Sequence, residues 1–261
     1  MNIIVLVKQV PDTSEVKINR ETNTLIRDGV PSIINPFDMY AIEEALRLRE
    51  KHGGKVTAVT MGPPQAAEAL KEAVSLGVDD VVLLSDRAFA GADTWATSYV
   101  ISQGIKKIVE YDLIIAGKQA IDGDTAQVGP ETADMLGIPF VAYIKKIEQI
   151  EGQKMLAERL MDEGYDVVET SLPALITVVK EINQPRVPSL KGKMKAKSLK
   201  VTTWNAKDIG ADDSKCGLKG SPTKVVKIFP PAARGQREVL TGSMEDQITT
   251  VVSKLKEQSF I

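Results

Sequence analysis

Four short, largely apolar runs separated by helix-length segments constrain what this chain can fold into. They are Ile3 to Val7, Val56 to Met61, Val81 to Leu84 and Leu113 to Ala116. The first, Ile3-Ile4-Val5-Leu6-Val7, has no polar alternation, which marks a strand covered on both faces. Between the runs lie helix signals. Asn35 is placed to cap a helix, and Pro36 suits its first position. Ile42, Ala45, Leu46 and Arg49 follow at helical spacing, and Gly53-Gly54 stops them. Gly62-Pro63-Pro64 turns into a helix over Ala66 to Leu76, ended by Gly77. A third helix opens after Gly91-Ala92-Asp93-Thr94 and runs to about Val109. This β-α-β-α order predicts an α/β fold: a doubly wound, mostly parallel sheet with right-handed crossovers. In such sheets ligands sit outside the carboxyl ends of the strands. The loops after Val7, Met61, Leu84 and Ala116 are therefore the ones to watch.

The pattern is interrupted and then changes. Residues 8–31 are polar and turn-rich, with Val16-Ile18 and Leu25-Ile26 placed for a small hairpin. After Phe140, the runs Tyr143-Ile147, Met155-Leu160 and Asp166-Glu169 alternate with Glu151-Gly152 and Glu163-Gly164, as in antiparallel hairpins at a sheet edge. Ala174 to Val179 is again a buried strand. Beyond it the chain turns basic and irregular until an amphipathic helix from about Met244 to Lys256. These boundaries predict an α/β domain over 1–184 and a loop plus extended C-terminal arm over 185–261. A segment too poor in apolar residues to make its own core is expected to pack on a partner.

Composition removes several classes of function. The net charge of −2 gives no general attraction to nucleic acid or an anionic membrane. Lys191, Lys193, Lys195, Lys197 and Lys200 read as a solvated face. The longest apolar runs fall well short of the roughly 18 residues of a spanning helix. The opening run lacks a basic segment before it and meets Lys8, Gln9 and Pro11 at once, so it reads as a strand rather than a leader, and the cytoplasm is the default compartment. One cysteine, Cys216, allows neither an internal disulfide nor a cysteine metal cage. His52, the lone histidine, stands at a helix end, where the dipole favours it.

The segment richest in chemistry is Gly117-Lys118-Gln119-Ala120-Ile121-Asp122-Gly123-Asp124-Thr125-Ala126-Gln127-Val128-Gly129-Pro130, just after the fourth strand. Asp124 and Gln127 are spaced as a capping pair for a helix beginning at Thr125; alternatively the helix starts at Gly129-Pro130. Either start aims free N–H groups over the sheet edge, a site suited to phosphate, and either also serves as a plain capped connection. Asp122 would repel a phosphate, so a sugar hydroxyl or a backbone N–H suits it better. Asn35-Pro36-Phe37-Asp38 reads as a helix start, and Met61 as core or ligand contact. Thr94, Thr97 and Ser98 either cap their helix or contact phosphates. No Gly-x-Gly-x-x-Gly or Walker A sequence follows any strand.

Taken together, these segments resemble the beta (small) subunit of electron-transfer flavoproteins over nearly the whole chain. The likeness is carried by Val5-Leu6-Val7-Lys8-Gln9-Val10, by Asn35-Pro36-Phe37, by Gly117 to Asp124, and by Pro185-Arg186 through Leu190 to Met194-Lys195-Ala196-Lys197. The resemblance implies an adenine-nucleotide-binding, Rossmann-like domain in an obligate heterodimer with an alpha subunit, whose own flavin lies between the two subunits. It implies nucleotide contacts from Leu6, Asn35, Pro36, Phe37, Asp38, Met61 and the segment Gly117 to Val128. It also implies that Leu190 inserts into a flavin-dependent dehydrogenase and that the chain is an electron-transfer subunit, not an enzyme alone.

The family has two branches. In one, beta holds structural AMP. In the other, beta holds FAD that takes hydride from NADH and splits the electron pair between ferredoxin and the alpha-subunit flavin. The stretches Ser85 to Ser98 and Asp122 to Glu131 resemble the FAD-binding, bifurcating branch, with Thr94 and Thr97 placed for a diphosphate. A stand-alone nucleotide-binding or hydrolysing module is the rival, although no base, nucleophile or metal cluster stands out for hydrolysis.

Overall fold

The computed structural model describes residues 1–12, 17–19, 24–26, 31–108, 110–227 and 239–261, with the strands at 17–19 and 24–26 described by backbone alone. The chain divides into two units, Met1–Lys227 and Ile228–Ile261. In the first, strand β1 (Asn2–Leu6) leads to β2 (Gln9–Pro11). Next come β3 (Lys17–Asn19), β4 (Thr24–Ile26) and β5 (Ser32–Ile34). The β3 and β4 strands pair antiparallel, as expected of the small hairpin; Val16 and the turn residues between them lie outside the described residues. The pairing of β2 with β5 has no sequence signal beyond a few apolar residues.

Helix α1 (Pro36–His52), strand β6 (Lys55–Met61), helix α2 (Ala67–Leu76), strand β7 (Asp80–Leu84), helix α3 (Thr94–Ile108) and strand β8 (Leu113–Gly117) follow within a residue or two of expectation. Helix α4 (Val128–Leu136) begins one residue before the Gly129-Pro130 alternative and not at Thr125. Asp124 and Ala126 adopt left-handed backbone (φ 54° and 55°), so no helix can run back to Thr125. Pro130 sits in the first turn rather than at its first position, where it is still tolerated because those N–H groups have no partner inside the helix. Strands β9 (Phe140–Glu151), β10 (Lys154–Met161) and β11 (Gly164–Ser171) form the antiparallel edge, and β12 (Ala174–Val178) returns to the centre.

All of these large strands join one nine-stranded sheet in the order β11-β10-β9-β12-β8-β1-β6-β7-β13, where β13 is Thr202–Trp204. The seven strands from β9 to β13 in that order run parallel, while β10 and β11 pair antiparallel. The strand order reverses between β1 and β8, which is the crevice where open α/β sheets bind ligands.

Alternation along β1 explains the two layers. Ile3, Val5 and Val7 face a core shared with α1 and α2, while Ile4 and Leu6 face one shared with α3 and α4. Helix α5 (Leu190–Lys197) lies against α2, with Ala196 buried and Lys195 Nζ donating to Val78 O and Asp79 O at 3.3 and 3.1 Å. A Cβ on Gly192 would fall 2.1 Å from Ser75 O, so only glycine permits this approach. Residues 205–216 cover the other face, burying Ala206, Ile209 and Cys216; the short helix α6 (Gly217–Gly220) follows. In the second unit, helix α7 (Met244–Glu257) is capped by Ser243 and buries none of its residues. Among the described residues no helix is long and apolar enough to cross a membrane.

Candidate functional site

The site grows from the carboxyl ends of β1 and β8. Asn35 precedes α1 but makes no side-chain cap. Instead its buried amide ties down the loop after β8: Nδ2 donates to Gln119 O at 2.9 Å and to Asp38 Oδ1 at 3.0 Å, and Oδ1 accepts from Ile121 N at 3.1 Å. Asp38 is buried too, accepting from Lys8 N at 2.8 Å and from the Gly117 backbone. Burial pushes its carboxyl up to about 7, against the pull of the Lys8, Asn35 and Gly117 donors and the Lys8 charge. The contact between α1 and β8 requires Gly117, since a Cβ there would lie 2.4 Å from Asp38 Oδ1 and 2.6 Å from the Phe37 carbonyl carbon. Pro36 is exposed and Phe37 half-buried.

Beyond Gly117 the loop is held by its own bonds. Asp124 N donates to Ala120 O at 2.8 Å, and Gln119 Nε2 donates to Asp124 Oδ1. Within the protein, Asp122 pairs with a side-chain cation. Lys8 Nζ reaches its two oxygens at 2.7 and 3.0 Å, and the pairing lowers the repulsion a bare carboxylate would exert on an anion. A Cβ on Gly123 would meet nothing within 4 Å, so space is open beside it. Lys118 N donates to Val178 O, and its Nζ lies 5.1 Å from the centroid of the Tyr143 ring. Tyr143 itself has φ 61° and gives its N–H to Thr177 Oγ1 at 3.2 Å.

The first turns of α3 and α4 stand side by side. Thr94 Oγ1 lies 3.1 Å from Glu131 Oε1 and 3.5 Å from Gln127 Oε1, and Ser98 Oγ lies 3.0 Å from Glu131 Oε2 and 3.3 Å from Val128 O. The two helix starts are not equivalent. Helix α4 has no side-chain cap. Helix α3 has one: Asp93 Oδ1 accepts from Ala96 N at 3.0 Å, while Oδ2 accepts from Thr223 N and Thr223 Oγ1, both at 2.9 Å. Partial burial raises the Asp93 carboxyl, but its hydrogen bonds to Ala96, Thr223 and Ser221 outweigh burial and hold it below the usual range. Thr97 is half-buried in the same turn.

The structure thus joins Asn35, Asp38, Gly117, Gln119, Ile121, Asp122 and Asp124 in one network, with Ala120 inside it through its carbonyl. Thr94, Gln127 and Val128 form a second cluster, next in the chain after Thr125 and Ala126. Leu6 and Met61 end β1 and β6 on the α3–α4 side. Leu190 stands apart as the first residue of α5, 79% exposed. Lys8, Glu131 and Tyr143 were not singled out from sequence. Lys8 could have been, since it immediately follows a strand at the ligand edge. Two clefts of about 260 and 230 Å³, lined in part by Met1, His52 and Asp112 and by Asn2 and Lys55, open at the amino ends of the strands, away from this network. Among the described residues no cluster of histidine, cysteine or carboxylates could hold a metal.

An edge site of this kind, at the strand-order reversal of a parallel sheet, is the position where nucleotide-binding α/β domains hold their ligands. The model of the electron transfer flavoprotein domain matches residues 22–209. The chain is 52% identical, over the whole of both chains, to an electron transfer flavoprotein subunit beta of Thermoanaerobacterium thermosaccharolyticum. It is 51% identical, again over both whole chains, to subunit CarD of a caffeyl-CoA reductase-Etf complex of Acetobacterium woodii. With Protein FixA of Azorhizobium caulinodans it shares 45% identity over 94% of this chain and 90% of the relative. The chain belongs to the electron transfer flavoprotein family, as one of its beta subunits. Beta subunits of this family associate with flavin or nucleotide and pair with alpha subunits.

Proposed function

We propose that this beta subunit binds FAD at the carboxyl edge between β1 and β8 and serves an electron-bifurcating complex in the cytoplasm. The observation that carries the proposal is the adjacency of the first turns of α3 and α4, bridged by Thr94 and Glu131 at 3.1 Å. Two neighbouring helix starts suit two phosphates, whereas AMP has one. The residues present fit such a group. The α4 start is uncapped, the space beside Gly123 is open, and Asp122 is paired with Lys8. Backbone N–H groups of Val128 and Gly129 would hold phosphate, and the 117–124 loop would follow the nucleotide along the crevice. Thr94 contributes by joining the two helices through Glu131, and Thr97 extends the same turn. A flavin bound here would take two electrons from NADH and pass one to ferredoxin and one to the alpha-subunit flavin.

Residues 185–261 would serve the partners. Leu190, Val187 and Met194 are exposed apolar side chains among lysines, suited to docking a flavin-dependent dehydrogenase. Helix α7 presents Ile248, Val251, Val252 and Leu255 with none buried, as a segment that wraps an alpha subunit would. One observation favours the AMP reading: Asp93 already caps α3, which leaves a single uncapped start.

An acceptor-coupling assay separates the two. With NADH, the alpha–beta heterodimer and a partner dehydrogenase, ferredoxin should be reduced only while the dehydrogenase is turning over. Electron delivery to the dehydrogenase with no dependence on ferredoxin would sink the bifurcating proposal.

A further inference from the structure

We infer that Arg186 is a positioning residue that fixes the docking segment around Leu190 against the flank of α1. The inference deepens the docking role proposed above for that segment and rests on it. Arg186 Nε and Nη2 donate to Glu43 at 2.8 and 3.3 Å, while Nη1 and Nη2 donate to Glu50 at 2.6 and 3.2 Å. Its backbone N–H also reaches Glu43, at 3.1 Å. One planar guanidinium therefore bridges two carboxylates about two turns apart on one helix face, a geometry that the single ammonium of lysine cannot reproduce.

The neighbouring residues bind the same stripe. Asn183 Nδ2 donates to Tyr40 O and Glu44 Oε2, both at 3.0 Å, and Arg47 Nη2 donates to Gln184 O at 3.4 Å. Glu43 is buried, and burial raises its carboxyl, but the Arg186 and Arg47 hydrogen bonds outweigh it and hold it below the ordinary range.

The clamp matters because of where α1 begins and where the clamped segment leads. The amino end of α1 carries Asp38, and Asn35 just before it holds the loop after β8. Along the same helix, Glu43 and Glu50 hold Arg186, after which come Val187, Pro188 and the exposed Leu190. A single 17-residue helix is therefore the rigid link between the crevice and the docking side chain. Electron transfer between docked proteins depends on how they are held; α5 is seated on α2, so the clamp acts on the segment Val187 to Ser189 that leads into Leu190, and loosening it widens the orientations of that segment before docking. That ordering cost would appear in partner affinity rather than in the chemical step.

The test uses the alpha–beta heterodimer, with a purified flavin-dependent dehydrogenase as the probe partner. Arg186→Gln should raise KM for the partner roughly three- to tenfold, with kcat and bound nucleotide unchanged. Arg186→Lys should fall between the two. Because Arg186→Gln also strips a donor from buried Glu43 and lowers stability, Glu50→Gln is the cleaner variant: it leaves Glu43 paired. It should raise KM in the same direction and add little on top of Arg186→Gln. Unchanged KM in Glu50→Gln and Arg186→Gln, with KM raised in Leu190→Ala, overturns the positioning role and leaves the docking proposal standing. If Leu190→Ala is silent as well, the docking proposal falls with it. Should Arg186→Gln fail to fold, the KM of Glu50→Gln decides alone.

Discussion

Replacing Gly117 by valine should empty the nucleotide site and destabilise the subunit together. The Cβ alone would stand 2.4 Å from Asp38 Oδ1, 2.6 Å from the Phe37 carbonyl carbon and 2.7 Å from Phe37 Cβ. Backbone and a buried carboxyl cannot swing aside as a flexible side chain does, so the start of α1 must retreat from β8. Overpacking of this kind costs roughly 1–3 kcal/mol. The retreat also opens the bonds from Asn35 to Gln119 and Ile121 and from Lys8 N to Asp38, and each buried group left unpaired adds about 1–3 kcal/mol. With these three bonds opened, nucleotide affinity should fall about a hundredfold or more. Nucleotide released per heterodimer on denaturation, with the melting temperature, reads both effects. Gly164→Ala is the control, because a Cβ there meets nothing and β11 is the edge strand farthest along the sheet from the crevice, so it should retain its nucleotide. Full occupancy in Gly117→Val would mean that the β8–α1 contact does not shape the site.

Leu190→Ala should do the opposite: leave the subunit intact and weaken its delivery of electrons. The side chain is 79% exposed, so its loss removes little from the fold. Buried in a partner pocket, a leucine contributes roughly 1.5–3 kcal/mol, and truncation to alanine forfeits most of it. KM for the partner dehydrogenase should rise about tenfold or more, with melting temperature and bound nucleotide unchanged. A fall in nucleotide occupancy with docking unaffected would make Leu190 a structural residue.

Much of this architecture is legible in the sequence because it is local. The apolar run of β1, the Asn35-Pro36 helix start and the Gly53-Gly54 stop each follow from a few adjacent residues. The loop after β8 stands out for the same reason, and the sheet order places it at the crevice. The choice between the two starts of α4 is not legible, because Asp124 and Ala126 exclude the one at Thr125 by adopting a left-handed backbone that is uncommon for non-glycine residues. Strand β13 is three residues, Thr-Thr-Trp, and exists through its pairing with the edge of β7. Alternating lysines made 191–197 look like a solvated arm, yet Ser189 caps a helix there and Gly192 and Ala196 seat it on α2. In the site itself, residue types pointed to Asn35, Asp38 and the 117–128 segment. The bonds that join them span more than eighty residues, as does the Lys8–Asp122 pair. Asn35 illustrates the limit: it stands where a cap belongs, but its amide serves the distant loop.

The account centres on which nucleotide the crevice holds between β1 and β8. Denaturing the purified alpha–beta heterodimer and counting the released nucleotides tests it most directly. The FAD proposal, in which the adjacent α3 and α4 helix starts accept a diphosphate, predicts two FAD and no AMP per heterodimer. One FAD and one AMP would contradict the account and leave a subunit that carries a structural nucleotide beside a single shuttling flavin.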